Sequence, residues 1–303
     1  MIKNIQNIFN KHSRSEIVAI MMIFSLVACV EEVESDNDGK TNTGDVASKS
    51  KNKITFTELV AVDNDECSIK ITGIDPDDMW GYSLNVQLEN KSADKKYMFS
   101  VESAYINGVG CDPFFASEVA AGKKAKEDIS FSDKTFKENI GDYTDIELTF
   151  RVYDSDDWSV DAVALETVHV YPYGKENAET FVRNAKKSDK VLVDNDKATV
   201  ILLGFEDDEI WGYTANLFIV NKSDKYAMFT VEDVSVNGYM VDPLFASDID
   251  SGKCAFDTMS WSDEDFEESG ITEVEEIEFT LRAYDNENWL ADDIVNEKIT
   301  INP

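Results

Sequence analysis

Apolar and polar residues alternate with a period of two along most of this chain beyond residue 54. Residues 84–88 and 146–152 place apolar side chains at every second position, and residues 215–219 and 277–283 do the same. This period points successive side chains to opposite faces, so each segment predicts a half-buried antiparallel β-strand. Further strand candidates are residues 68–72, 97–106, 127–131 and 164–171. Six or seven short strands in about 110 residues predict a β-sandwich.

The same pattern occurs twice, at an offset of 131 residues that falls to 130 in part of the second copy. A period of this length corresponds to a whole domain and not to a solenoid repeat. We therefore predict two homologous domains, residues 54–172 and 190–303, joined by a linker at residues 173–189. The clearest matches are 62–65 with 193–196 (VDND), 80–82 with 211–213 (WGY), 90–92 with 221–223 (NKS), 107–108 with 237–238 (NG) and 112–113 with 242–243 (DP).

Helical signal is weak and local. Residues 115–121 and 134–139 each predict one or two helical turns. Ser-Asp pairs occur at residues 132–133 and 262–263, and such side chains cap helices by accepting a hydrogen bond from the first turn. The fold is therefore predicted to be all-β with small helical insertions.

The N-terminal segment has a different pattern. Three basic residues precede an apolar run at residues 17–28, and Cys29 follows directly. A run of this length suits a secretory signal and is too short for a comfortable transmembrane helix. The sequence LVAC at residues 26–29 resembles a bacterial lipobox, so we expect a signal peptide at residues 1–28 and lipidation of Cys29. Residues 29–53 are polar and acidic and predict a disordered tether. A chance cysteine behind an ordinary secretory signal is the alternative.

The chain is strongly acidic, with 61 acidic and 28 basic residues and a net charge of −33 at pH 7. Its 43% of hydrophobic residues are enough for a folded core, so the acidity does not indicate disorder. An acidic surface repels nucleic acid and anionic lipid head groups, and it favours basic proteins, basic wall components or divalent metal ions. Acidity that serves only solubility is the alternative.

Histidine and cysteine offer little chemistry beyond the signal segment. His169 is the one histidine left, and Thr300 stands opposite it in the second copy, so we expect neither a Ser-His-Asp device nor a histidine-rich zinc site. Cys67 and Cys111 could form a disulfide within one domain, or these two and Cys254 could all be thiols.

The lipobox, the acidic tether and two copies carrying VDND, WGY, NKS, NG and DPxFAS make the chain similar to uncharacterised lipoproteins of Gram-positive bacteria. Their domains resemble immunoglobulin-like sandwich modules of unknown function. The resemblance covers residues 54–303. It implies two tandem immunoglobulin-like antiparallel β-sandwiches, anchored by lipid at the extracytoplasmic face of the bacterial cell membrane, and it carries no catalytic pattern.

Carboxylates are the one reactive group in abundance. Calcium takes six to eight oxygen ligands, and acidic loops can provide them. Two loops stand out in the first copy, residues 75–78 and residues 154–157, although neither fits the EF-hand pattern. Ordinary solvated turn residues are the alternative. The candidate calcium ligands are Asp75, Asp77, Asp78, Asp154, Asp156, Glu206, Asp208, Glu209, Asp285 and Glu287.

Aromatic residues beside these loops give a second hypothesis, a carbohydrate-binding module with rings on a flat exposed face. Its candidate residues are Trp80, Tyr82, Trp158, Trp211, Tyr213 and Trp289. A third hypothesis is a hydrolase with two carboxylates about 5–10 Å apart across a cleft. Tryptophans that serve only packing are the alternative to both.

We therefore expect a non-enzymatic, lipid-anchored protein that binds or scaffolds an extracellular protein or glycan. We expect no cofactor other than a possible calcium ion, and no nucleic-acid partner.

Overall fold

The computed structural model describes residues 53–303 except Asp133 and Trp158. The predicted signal peptide, Cys29 and the tether up to residue 52 lie outside the described residues. The chain is nearly all β and forms antiparallel sandwiches, as the alternation predicted. Within the described residues, no helix has the length and apolar character needed to cross a membrane.

The internal contacts divide the chain into two compact units. The first unit extends to Ala104 and continues over Asp112–Ala178. The second unit consists of Tyr105–Cys111 and Glu179–Pro303.

In its described residues, the first sequence copy contains nine strands and one short helix. One of its sheets has the order β1-β2-β3-β7; in the other, β4 lies beside β8, β8 lies beside β9, and β6 pairs with β4. The elements are β1 (Leu59–Asp63), β2 (Cys67–Asp78), β3 (Gly81–Asn90), β4 (Tyr97–Ile106), β5 (Val109–Gly110), β6 (Ala116–Val119), β7 (Lys124–Phe131), α1 (Lys134–Ile140), β8 (Ile146–Asp154) and β9 (Ala164–Val170).

The second sequence copy repeats this arrangement after a 3₁₀ turn at Lys175–Asn177. One sheet contains the order β10-β11-β12-β16 and continues to β5, and the other has the order β14-β13-β17-β18 with β15 paired to β13. The elements are β10 (Lys190–Asp194), β11 (Ala198–Asp208), β12 (Gly212–Asn221), β13 (Ala227–Val236), β14 (Tyr239–Met240), β15 (Ser247–Ile249), β16 (Cys254–Trp261), α2 (Asp263–Ser269), β17 (Ile277–Asp285) and β18 (Val295–Ile301).

Alternate residues of the strands form the core of each unit. In β12, Leu217 and Ile219 are buried, and in β17 Phe279 and Leu281 lie in the same cluster. Trp261 is a fully buried member of that cluster, and its indole N–H donates to the carbonyl of Val241 at 3.1 Å. A buried tryptophan needs such a partner for its N–H, so this contact fixes the loop before β15 on the core.

The helical predictions have different outcomes. Residues 134–139 lie in α1, but the prediction of helix at residues 115–121 is wrong, because Ala116–Val119 is strand β6. Val119 is buried and pairs with Tyr97 of β4. Tertiary strand pairing overrides the local helical preference there. In the second copy Ser262 caps α2 as predicted, because its Oγ accepts the N–H of Asp265.

Candidate functional site

Exposed apolar residues occupy the turn between the first two long strands of each sandwich. The turn between β2 and β3 contains Met79 and Trp80, and the turn between β11 and β12 contains Ile210 and Trp211. Trp80 is 68% exposed and Trp211 is 48% exposed. Both copies thus expose a large apolar side chain at the same place. Packing in the hydrophobic core does not explain such a residue.

Backbone hydrogen bonds to aspartate hold both turns. Asp78 Oδ1 accepts the N–H of Trp80 at 2.9 Å. Asp208 Oδ1 accepts the N–H of Trp211 and the N–H of Ile210, each at 2.8 Å. These bonds, that from Trp211 more than that from Ile210, lower the pKa of Asp208 below its usual value. The aspartates thus fix the backbone that presents the tryptophans.

A third exposed apolar residue lies at the same end of each sandwich. The N–H of Phe114 donates to Ser130 of β7, and the N–H of Leu244 donates to Ser260 of β16, both at 2.8 Å. Ser130 pairs with the residue of β3 three positions after Trp80, and Ser260 pairs with the residue of β12 three positions after Trp211. Strand spacings therefore place each tryptophan within about 15 Å of Phe114 or Leu244 in its own copy. We name this surface the apolar tip. It consists of Met79, Trp80 and Phe114 in the first copy and Ile210, Trp211 and Leu244 in the second.

Several carboxylates around the tips accept hydrogen bonds from their own loop or from the neighbouring strand. Asp75 Oδ1 accepts the N–H of Asp77 at 3.1 Å, and Glu206 accepts the side-chain amide of Asn216 at 2.9 Å. Among the described residues, no group of three or more His, Cys, Asp or Glu side chains is placed to hold a metal ion. The described structure therefore does not bring the predicted calcium ligands of either tip loop, Glu209 included, together into one metal site.

The second pair of acidic loops has a similar internal role. Asp154 Oδ1 accepts the N–H of Asp156 at 3.1 Å, and the carboxylate of Asp154 lies 3.3 Å from the ammonium of Lys95. The backbone hydrogen bond and then the lysine lower the pKa of Asp154. In the second copy Asp285 Oδ1 accepts the N–H of Glu287 at 3.0 Å.

The two acidic loops lie at opposite ends of the sandwich. Trp211 precedes the start of β12, whereas Trp289 follows the end of β17, where Asp285 pairs with Ala227 at the start of β13. A short connection joins the end of β12 to Ala227, so Trp211 and Trp289 are separated by about the length of a ten-residue strand, roughly 30 Å. Trp289 is 68% exposed. The predicted tryptophans of the second copy thus form no single sugar-binding face, and its two acidic loops lie too far apart to form one carboxylate pair between them; Trp158 lies outside the described residues.

The two predicted tyrosines pack inward. Tyr82 is buried, with its ring centroid 4.7 Å from that of Tyr143, and burial raises the pKa of its hydroxyl. Tyr213 is half-buried and stacks on Phe205 at 5.2 Å. Tyr82 is therefore a core residue whose ring is not accessible to a ligand in this structure.

His169 contacts neighbouring side chains, and Cys67 and Cys254 have thiols whose pKa is raised by burial. His169 Nδ1 lies 2.8 Å from Asp145, and its ring stacks on Tyr171. Burial raises the pKa of the Cys67 thiol to about 11 and that of Cys254 to about 12. A thiol with so high a pKa stays protonated at neutral pH and is a poor nucleophile.

A shallow pocket of about 400 Å³ lies at the other end of the first sandwich, away from the apolar tip. Its lining includes Glu66, Lys91 and Tyr97. These polar groups are engaged with the protein, since Tyr97 donates to Glu66 at 2.6 Å and Lys91 donates to Asp63 at 2.6 Å. None of the predicted site residues lines this pocket.

Sequence reasoning missed four of the six residues of the apolar tips, namely Met79, Phe114, Ile210 and Leu244. A usable signal was present, because each copy places an apolar residue directly before its exposed tryptophan, within an acidic turn. Each copy also places an apolar residue directly after the repeated Asp-Pro pair.

Comparisons with known proteins give little similarity. No protein-family model matches the chain, and no curated protein matches it. Among solved structures, the crystal structure of the exo-chitosanase CsxA of Amycolatopsis orientalis matches 76% of this chain and 26% of its own, with 14% identity and a TM-score of 0.22. The chain thus spans about a quarter of that enzyme, and a TM-score of this size carries no argument about fold or activity.

Proposed function

We propose that this chain is a non-enzymatic, lipid-anchored protein that binds or scaffolds an extracellular partner through its apolar tips. The observation that carries the proposal is the recurrence of three exposed apolar side chains at the same three positions of both copies. Core packing accounts for repeated buried residues, but it gives no reason to keep repeated exposed ones.

The chemistry of the tips favours a cationic partner with apolar side chains. Asp75, Asp77 and Asp78 precede Trp80, and residues 206–209 carry four acids before Trp211. These charges attract a basic segment, and the tryptophan and its neighbours bury apolar side chains of that segment. Salt should therefore weaken the complex without abolishing it.

The contribution of each tryptophan can be estimated from area. A tryptophan side chain presents on the order of 200 Å², so covering half of it removes about 100 Å² from water, worth about 2.5 kcal/mol. Truncation of one tip should therefore weaken binding by roughly 10- to 100-fold.

The test uses a short peptide of alternating lysine and leucine as the probe, with isothermal titration calorimetry. We expect W80A/W211A to bind it at least about tenfold more weakly than the wild type. Trp289→Ala is the matched control, because Trp289 is equally exposed but lies away from the tip. Equal affinity of W80A/W211A and the wild type, or no binding by the wild type, would contradict the proposal.

The proposed location is the extracytoplasmic face of a bacterial membrane and rests on the lipobox at residues 26–29. Metabolic labelling with a radioactive fatty acid should label the wild type in its native host and leave Cys29→Ala unlabelled. Equal labelling of both would remove the support for a lipid anchor.

Calcium is not part of this proposal, because three of the tip carboxylates, those of Asp75, Asp78 and Asp208, already accept backbone N–H groups. We expect the same thermal midpoint with a chelator and with millimolar calcium. A calcium-specific rise of several degrees would show a site that stabilises the folded state.

A further inference from the structure

Two β-hairpins of this chain share the same turn. Asn107-Gly108 connects β4 to β5, and Asn237-Gly238 connects β13 to β14. Both asparagines and both glycines have positive φ, at 54° and 85° in the first hairpin and at 52° and 81° in the second. Two successive residues of this kind form a type I′ turn, which rigidly presents the residues that follow.

The first hairpin is docked inside the second unit. The N–H of Cys254 donates to the carbonyl of Gly108 at 3.1 Å, and Val109 pairs in parallel with Cys254 at the edge of β16. Val109 is completely buried. Tyr105 Oη also accepts the N–H of Asp250 at 2.9 Å. The molecule therefore contains one complete example of an Asn-Gly hairpin bound to a strand edge.

The second hairpin has the same geometry but an uncovered tip. Tyr239 and Met240 occupy the places of Val109 and Gly110, and they are 57% and 68% exposed. A Cβ at Gly110 would lie 3.7 Å from the Cβ of Ala255, in ordinary contact with the accepting strand. The backbone at that place therefore leaves room for the first carbon of a side chain beside the accepting strand.

The first sandwich carries the matching edge. Strand β7 ends the order β1-β2-β3-β7 and corresponds in sequence to β16. Lys123, Lys124 and Ala125 stand where the docked edge has Lys253, Cys254 and Ala255. Ala125 keeps the small side chain that Ala255 has on the docked edge.

The two surfaces also have opposite charges. Asn237 joins the hairpin to an acidic loop, since it donates to the carbonyl of Glu273 and accepts the N–H groups of Glu275 and Glu276. These three glutamates are exposed, and so are the lysines of the β7 edge, Lys123, Lys124 and Lys126. Lys124 contacts Glu89 at 2.9 Å in an exposed ion pair, which costs little to rearrange.

We propose that the Tyr239-Met240 hairpin of one copy docks on the outer edge of β7 of a second copy, so that the protein self-associates head to tail. The edge lysines discourage unspecific strand pairing and accept this hairpin because its neighbouring loop is acidic. Such a contact joins two different surfaces, so a bound pair still offers one free hairpin and one free edge, on different copies. This self-association is independent of the proposed binding at the apolar tips.

The test is sedimentation velocity of the purified full chain in mild detergent over about 1 µM to 1 mM, a range that suits a small interface. The hairpin variant is Y239S/M240S, and the edge variant is K123E/K124E. The matched control is W289S/L290S, which removes an equally exposed apolar pair elsewhere. Circular dichroism verifies that each variant is folded.

We expect the wild type and the control to sediment faster as concentration rises, and each of the other two variants alone to remain a monomer. An equimolar mixture of the hairpin and edge variants should form a 1:1 complex and nothing larger, because one intact hairpin and one intact edge remain. A monomeric wild type at all concentrations, or a hairpin variant that still self-associates, would overturn the proposal. Peptide binding by the monomeric variants tests the apolar tips separately.

Discussion

Replacement of Asn221 by alanine should severely destabilise the second sandwich. Asn221 is buried at the end of β12, and its side-chain amide donates to the carbonyls of Lys225 and Ile249 at 2.7 and 2.8 Å. Its Oδ1 accepts the N–H of Ser223 at 3.0 Å. One side chain therefore satisfies three backbone groups, two in the turn that follows it and one in β15, which gives a physical reason for the repeated NKS motif.

The magnitude follows from the groups left without a partner. Each unsatisfied buried polar group costs about 1–3 kcal/mol, and partial relaxation offsets some of this, so we expect Asn221→Ala to cost about 3–4 kcal/mol. For a unit of this size the melting midpoint should fall by about 10–20 °C. Asn216→Ala is the control on the same strand, because Asn216 donates only to the exposed Glu206. Its cost should stay below about 0.5 kcal/mol.

The assay is urea unfolding followed by tryptophan fluorescence, to which the buried Trp261 of the same unit contributes. In the first sandwich, Asn90→Ala and Asn85→Ala should show the same contrast, because Asn90 is buried and Asn85 bonds the exposed Asp128. Similar unfolding free energies for Asn221→Ala and Asn216→Ala would refute the reasoning.

Two further predictions concern backbone geometry and pH. Gly212→Ala should lower the free energy of unfolding by more than about 2 kcal/mol in a thermal melt, because a Cβ there overlaps the carbonyl of Trp261 and the residue has a positive φ. Gly252 also has a positive φ but faces open space, so Gly252→Ala should cost about 1 kcal/mol. Equal costs for the two variants would contradict this. The Arg183 guanidinium and then a backbone N–H hold the pKa of Asp189 at about 2, below the unfolded value of about 3.9. The stabilisation from Asp189 is therefore complete above pH of about 4 and is lost as pH falls toward 2, so Asp189→Asn should flatten the urea midpoint across that window. An unchanged pH profile would be inconsistent with the ion pair.

The strands were predictable because their signal is local. A period of two is visible within five or six residues, and residues 84–88 and 277–283 lie in β3 and β17 as predicted. The cap of α2 by Ser262 was predictable for the same reason, since it depends on one residue and the turn that follows.

The environments of the site residues were not predictable, because they depend on contacts between distant segments. Trp80 and Tyr82 are two residues apart, yet one is exposed in the turn and the other is buried in β3. Alternation alone would give both the same face, and the difference arises because β3 begins at Gly81, between them. The residues of the first hairpin belong to the first sequence copy, but their partners are β16 residues far along the chain.

The central claim is that the tip tryptophans are kept for binding and not for folding, and the most direct test is the unfolding free energy of Trp80→Ala. Phe99→Ala is the reference, because Phe99 is fully buried in the same unit and its truncation should cost about 3–5 kcal/mol. We predict a cost below about 1 kcal/mol for Trp80→Ala, as for other surface changes. A cost above about 2 kcal/mol would make Trp80 a structural residue and contradict the claim.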